Sequence, residues 1–269
     1  MSKGLKIVVL VKQVPDIEKV RFDYEKGRLD RSSAEAVINP FDLNALEAAA
    51  QIKEKIGGVV TAVSMGPEQA KDALRDALAR GADEAVLLSD LRFAGADTLA
   101  TSYTLSCAVR KLGAFDLIIC GEKTIDGDTA QVGPEVAEFL GIPHVAYVDE
   151  ILDISIAEIT VKSRLDGDNY VVKMRFPGLI TVTKDANVPR LPTLKDKLRS
   201  RKAEITVWGM KDLACLDEKQ FFGLQGSPTG VAKVFAPTSG KKKGQIVMGT
   251  PEEKARRIAE ILLKLGASQ

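Results

Sequence analysis

The sequence predicts an α/β chain built on a doubly wound, mainly parallel sheet, followed by added C-terminal strands and an extended arm that ends in a helix. Three observations carry this. Between Leu5 and Leu140 short apolar runs alternate four times with amphipathic helical stretches. The first run, Leu5 to Lys12, is almost continuously apolar, as expected of a strand covered on both faces. After Gly141-Ile142-Pro143 the period shortens and strands follow one another.

Taken in order, Leu5 to Lys12 opens the sheet, and Pro15 in Gln13-Val14-Pro15-Asp16 prevents a helix from starting at once. Val20, Phe22 and Tyr24 then alternate ahead of Lys26-Gly27, which suggests a small hairpin. Asn39-Pro40-Phe41-Asp42 is a helix start, with Asn39 as N-cap, Pro40 in the first position and Asp42 in the first turn. Ala45, Ala49, Ile52 and Ile56 face the sheet, and Gly57-Gly58 ends that helix. Val59 to Met65 is the second strand; Gly66-Pro67-Glu68 opens a helix with Ala70, Leu74, Ala77 and Leu78 inward. Glu84 to Leu88 is the third strand, and Asp97 is a candidate N-cap for a helix burying Leu105, Ala108, Val109 and Leu112.

The fourth unit runs from Leu117 through the loop Gly121-Glu122-Lys123-Thr124-Ile125-Asp126-Gly127-Asp128-Thr129-Ala130-Gln131 into a helix with Val132, Val136, Phe139 and Leu140 on one face. Its start reads two ways: Asp128 as N-cap with Gln131 completing a capping box, or Pro134 in the first helical position. In an open parallel sheet such a loop lies at the carboxyl end of its strand, where helix N-H groups and small residues can meet a phosphate. Gly and Asp are common in ordinary βα turns, so the loop alone does not identify a ligand.

Beyond it, Val145 to Ser155, Glu158 to Arg164, Tyr170 to Phe176 and Leu179 to Thr183 read as strands, with a hairpin turn at Asp166-Gly167-Asp168-Asn169. Asn187 to Lys202 carries six basic residues against the single acid Asp196, either a solvated helix or a docking surface for an acidic partner. Gly223 to Gly244 reads as an arm, and Thr250-Pro251-Glu252-Glu253 is a capping box for a final helix striped by Ala255, Ile258, Leu262 and Leu265. That stripe must dock on its own domain or on a second chain, the second being the preferred reading. The expected division is residues 1–185 for the α/β domain, 186–222 for the basic segment and 223–269 for the arm.

With 269 residues, 45% of them hydrophobic, the chain can bury a sizeable core, and its net charge of +1 gives no global reason to expect nucleic acid. No apolar run reaches membrane-spanning length and no signal-like region precedes the first strand, so a cytoplasmic chain is expected. Cys107, Cys120 and Cys215 are widely spaced and His144 is the only histidine, which argues against zinc, iron-sulfur and Ser-His-Asp chemistry. Neither Gly-x-x-x-x-Gly-Lys-Ser/Thr nor Gly-x-Gly-x-x-Gly after the first strand is present.

Six segments together resemble the beta subunit of electron transfer flavoprotein: Val11 to Asp16, Asn39 to Asp42, Met65-Gly66-Pro67, Gly81 to Glu84, Gly95 to Thr101 and Asp126 to Glu135. Arg164 to Pro177 and the basic stretch Asn187 to Lys202 are similar to that family's later signature. The resemblance implies a Rossmann-like, adenine-nucleotide-binding sheet in a heterodimer whose alpha subunit holds one FAD. It implies a second nucleotide in this chain: structural AMP in simple electron carriers, or a second FAD in the electron-bifurcating branch, which this sequence resembles through Gln13 to Asp16 and Gly95 to Thr101. In that branch NADH is the hydride donor, and electrons pass to an acyl-CoA dehydrogenase-type flavoprotein through the alpha subunit and to ferredoxin or flavodoxin. The chain would then oxidise NADH only as part of the flavin-loaded heterodimer, with no catalytic residues of its own.

Carried over residue by residue, Asn39, Pro40, Phe41, Asp42, Met65, Gly121, Glu122, Lys123, Asp126, Gly127, Asp128, Thr129, Ala130, Gln131 and Val132 surround the adenosine and phosphates. Leu10, Lys12, Gln13, Val14, Pro15, Asp16, Asp97, Thr98, Leu99, Ala100 and Thr101 complete the cofactor set, most of them on the isoalloxazine side. Leu194 matches the leucine that anchors partner dehydrogenases, with Arg190, Lys195 and Lys197 around it. A nucleotide-binding regulatory module related only by fold is the remaining alternative.

Overall fold

The computed structural model describes residues 4–16, 21–23, 28–30, 36–213, 221–230 and 246–266. They divide between two compact units, residues 1–230 and 231–269.

The first unit is a nine-stranded sheet. Its centre is parallel: β1 (Leu5–Leu10) lies between β6 (Gly58–Met65) and β8 (Leu117–Gly121), and β7 (Glu84–Leu88) continues beyond β6. On the other side β12 (Gly178–Val182) pairs in parallel with β8 and with β9 (His144–Ile154). β10 (Glu158–Leu165) and β11 (Asp168–Arg175) then add an antiparallel end. The β10–β11 turn is the expected hairpin, with Asp166 and Gly167 at φ 54° and 88° between paired Leu165 and Asp168.

The helices split by face as the strand order requires. α1 (Pro40–Ile56) and α2 (Lys71–Ala79) bury Ala45, Ala49, Ile52, Leu74 and Ala77 against Ile7, Val9, Ala62 and Leu87 on one side. α3 (Thr98–Leu112) and α4 (Val132–Leu140) bury Leu105, Ala108, Val109, Val136 and Ala137 against Val8, Leu10, Val63 and Ile118 on the other. The chain winds outward from β1 through β6 and β7, then returns to place β8 on the opposite flank of β1. Between β1 and β8 the order reverses, and at such a point the loops leaving two neighbouring strands part to form a crevice.

Several features extend the sequence reading or differ from it. Gln13–Pro15 (β2) pairs with Ala36–Ile38 (β5), and Thr206–Trp208 (β13) forms a parallel edge on β7. The small hairpin is present as Arg21–Asp23 (β3) with Arg28–Asp30 (β4); Val20 and Tyr24 lie outside the described residues. The basic stretch is helical only over Leu194–Lys202 (α5), because residues 184–190 are fastened to α1: Asn44 Nδ2 donates to the Asn187 carbonyl at 2.8 Å. Residues 221–230 pack within the first compact unit, with Phe222 buried near Phe93 and Tyr103.

In the second unit Pro251–Gly266 forms α6, opened by the capping box the sequence predicts: Glu253 N-H donates to Thr250 Oγ1 at 3.3 Å and Thr250 N-H to Glu253 Oε2 at 2.9 Å. Ile258 and Leu262 of its apolar stripe are exposed. Among the described residues no helix is long and apolar enough to cross a membrane.

Candidate functional site

A cavity of about 390 Å³ opens at the strand-order reversal, between the loops that leave β1 and β8 and the first turns of α1, α3 and α4. The β1 side contributes Leu10, Val11 and Lys12; the β8 side contributes Cys120 to Thr124, Gly127 and Thr129 to Gly133. Asp42 comes from α1, Asp97, Thr98, Thr101 and Leu105 from α3 and its approach, and Met65 and Phe93 form an apolar flank.

Asn39 stands at the N-cap position of α1, but its side chain makes no cap bond. Its Nδ2 donates to the Lys123 carbonyl at 2.9 Å and its Oδ1 accepts from Ile125 N-H at 3.2 Å, while its own N-H donates to the Lys12 carbonyl. One residue therefore ties the end of β1, through its backbone, to the loop after β8, through its side chain. Pro40 beside it, with no N-H to satisfy, starts the helix at a fixed angle.

Asp42 holds the same two strands from below. Fully enclosed, it accepts from Lys12 N-H at 2.8 Å and from Gly121 N-H at 3.1 Å. Burial pushes its carboxyl up to about 7, against the downward pull of those N-H groups and the Lys12 charge. Cys120, a buried free thiol beside it, is raised far above the ordinary range by burial and then by the Asp42 charge, so it is a wall residue and not a nucleophile.

The two lysines at the crevice are paired. Lys12 Nζ lies 2.7 Å from Asp126; burial lifts that carboxyl, but the Lys12 bonds and Thr124 outweigh it and leave it below its ordinary value. Lys123 Nζ lies 2.8 Å from Asp128 and 5.8 Å from the centre of the Phe41 ring.

The start of α4 differs from both sequence readings. The helix begins at Val132, so Pro134 is its third residue, and Asp128 caps nothing: it sits in the left-handed region at φ 52°, followed by Ala130 at φ 55°. Two non-glycine residues held there re-aim the loop's N-H groups, at a cost of about 1–2 kcal/mol each. Asp128→Gly should therefore raise stability by up to about 1 kcal/mol, because the strain it removes exceeds the exposed ion pair it gives up. Thermal denaturation of the two chains measures this.

Asp97 caps α3 as expected, accepting from Ala100 N-H at 3.1 Å. Its other oxygen accepts from Thr229 N-H at 3.1 Å and Thr229 Oγ1 at 2.8 Å, a tie to a segment 132 residues away. Burial raises this carboxyl, yet these donors together leave it below its ordinary value.

Of the remaining sequence candidates, Gln13, Val14, Pro15, Asp16, Asn39, Pro40, Phe41, Leu99, Ala100, Asp126 and Asp128 are not in the cavity wall. Gln13 reaches the Gln69 carbonyl, Val14 is buried under the β2–β5 pair, and Asn39, Asp126 and Asp128 support wall residues from behind. Phe93, Leu105 and Gly133 line the wall without having been named as ligand residues. Among the described residues no cluster of His, Cys, Asp and Glu could hold a metal, and His144 lies exposed at the start of β9.

A family model described as "Electron transfer flavoprotein domain" matches residues 26–213. The chain belongs to the electron transfer flavoprotein family. It is 44% identical to the electron transfer flavoprotein subunit beta of Thermoanaerobacterium thermosaccharolyticum over 96% of this chain and 98% of that one. It is 42% identical to the subunit beta of Megasphaera elsdenii, with 97% of each chain covered, and 45% identical to protein FixA of Azorhizobium caulinodans over 90% and 88%.

For a member of the electron transfer flavoprotein family the partner-facing candidates then have definite positions. Leu194, Lys195 and Lys197 are exposed on α5. Arg190 is committed inward, its Nε 2.7 Å from Glu47 and its guanidinium also paired with Glu54. As a bidentate donor to its own fold it fastens the approach to α5 and does not project with the other three.

Proposed function

We propose that this chain is the beta subunit of a heterodimeric electron transfer flavoprotein and that its crevice holds FAD. When bound, that flavin supplies hydride acceptance from NADH and single-electron delivery along two routes. One leads through the FAD of the alpha subunit to an acyl-CoA dehydrogenase-type flavoprotein, the other to ferredoxin or flavodoxin. The observation that carries the nucleotide reading is the cavity between β1 and β8 with three helix N-termini around it. N-H groups at helix starts, Gly133 in the first turn of α4 and a loop with Gly127 suit the phosphates. Met65, Phe93 and Leu105 suit an apolar ring system, and the chain's own part is to bind, orient and exclude water.

A second reading has its own support: about 390 Å³ is near the lower end for small-molecule sites, a fit for AMP as a structural ligand. The exposed Leu194, Lys195 and Lys197 support docking of the partner dehydrogenase, and the exposed Ile258 and Leu262 of α6 support attachment to the alpha subunit.

Coexpression with an alpha subunit, reconstitution with excess FAD, denaturation and chromatography of the released nucleotides tests the assignment. Two FAD per heterodimer and no AMP is the expected result; one FAD with one AMP would make the chain a scaffold for single-flavin transfer.

A further inference from the structure

Glu135 belongs to no sequence-derived set of ligand residues and is not in the cavity wall, yet it joins two of the helices whose first turns border that wall. It sits half-buried in the first turn of α4. Its Oε1 accepts from Thr98 Oγ1 at 3.2 Å and its Oε2 from Ser102 Oγ at 2.9 Å, both on the first turns of α3. Ser102 is fully buried, and its single hydroxyl proton also has the Thr98 carbonyl at 2.7 Å and the Val132 carbonyl at 3.3 Å within reach. The carboxylate is the strongest acceptor of the three. Thr98 and Thr101 on one helix, and Val132 and Gly133 on the other, line the cavity from these same turns.

The position is costly for a site that takes an anion. A carboxylate beside two helix N-termini opposes a phosphate by simple charge, even though it favours the helices themselves. α4 has no side-chain cap at Gln131, and Pro134 carries no N-H, so Val132 and Gly133 hold the N-H groups its first turn can offer to a ligand. Those groups are useful only if α4 keeps its angle to α3. The geometry points to Glu135 as a positioning residue that bolts α4 to α3 so that the Val132 and Gly133 N-H groups at the start of α4 face one 5′-phosphate group. This rests on the nucleotide reading above and names how its phosphate is held.

The test uses the full chain in complex with its alpha subunit, stripped of nucleotide, with AMP and adenosine as probes in titration calorimetry. Glu135→Ala should weaken AMP about tenfold and leave adenosine within about twofold. Glu135→Gln keeps an acceptor oxygen for Ser102 and should stay within about threefold of the original AMP affinity. Unchanged or tighter AMP binding in Glu135→Ala overturns the proposal, since it would show a charge effect alone. Equal losses for AMP and adenosine, or no preference for AMP over adenosine in the original chain, overturn it as well. Should Glu135→Ala not fold, Ser102→Ala decides: a selective loss of AMP affinity supports the bolt, and an unchanged affinity removes it. If the original complex binds neither probe nor FAD, the nucleotide reading itself fails, an outcome distinct from any variant effect.

Discussion

Gly121→Ala should destabilise the first unit by on the order of 3 kcal/mol and abolish retention of any nucleotide in the crevice. A Cβ at this position would stand 2.6 Å from Asp42 Oδ1, 2.6 Å from Phe41 Cβ and 2.8 Å from the Phe41 carbonyl carbon. The last of these is backbone in the first turn of α1, which cannot retreat without unseating the helix from the sheet. The Asp42 oxygen cannot retreat either, because moving it breaks the bond from Gly121 N-H and leaves a buried donor and a buried carboxyl poorly matched. Overpacking alone costs about 1–3 kcal/mol, and an orphaned polar group adds a similar amount. Gly127→Ala is the internal control: its nearest neighbour would be Thr124 Oγ1 at 3.4 Å, so its stability should stay within about 0.5 kcal/mol. Urea unfolding of the three chains decides it, and a Gly121→Ala protein as stable as the control would show that α1 and β8 are less tightly joined than the geometry requires.

Gly121 also marks where sequence reading stops. The strand that ends there, the loop after it and the helix beyond were legible because each has a local cause: an apolar run, turn residues, a periodic stripe. The same holds for Asp97 as a cap, for the Asp166-Gly167 turn and for the capping box at Thr250. What had no local cause was not legible. Asn39 has the composition of an N-cap and occupies that position, but its side chain is spent on Lys123 and Ile125, more than 80 residues on, and nothing within Asn39-Pro40-Phe41-Asp42 announces that partner. Asp128 followed by Gln131 has the spacing of a capping box; the loop instead turns through left-handed backbone at Asp128 and Ala130, a choice made by the contacts of the whole crevice. Arg190 reads as one more surface cation until Glu47 and Glu54 on α1 are seen to face it. β13 is too short to register as a strand without β7 beside it.

Asp42 gives the second large effect, and its sign follows from burial. The folded carboxyl titrates at about 7, against an ordinary value of 3.8, so between these values the folded chain binds a proton that the unfolded chain does not. Its contribution to stability is fully present below about 3.8 and is lost as pH rises through 7. Over that range the loss is on the order of 2–4 kcal/mol. Asp42→Asn has no such titration, but its single carbonyl oxygen cannot serve both Lys12 N-H and Gly121 N-H, which costs about 1–3 kcal/mol at every pH. The advantage of the original chain over Asp42→Asn should therefore be large near about pH 5 and shrink or reverse near about pH 8. Carboxyls held below their ordinary value, such as Asp90 and Asp126, contribute with the opposite sign but are common to both chains and cancel in the difference. Lys12, paired with Asp126, and the Cys120 thiol, which burial raises far above this window, are the charged and titratable groups that face Asp42 from the ends of β1 and β8. A stability difference independent of pH would mean that Asp42 is ionised throughout and that its two N-H donors outweigh its burial. The predicted slope would instead show a neutral carboxyl below neutrality that gains its charge near 7; on the proposed nucleotide reading, that sets the pH above which Asp42 would begin to compete with a bound phosphate.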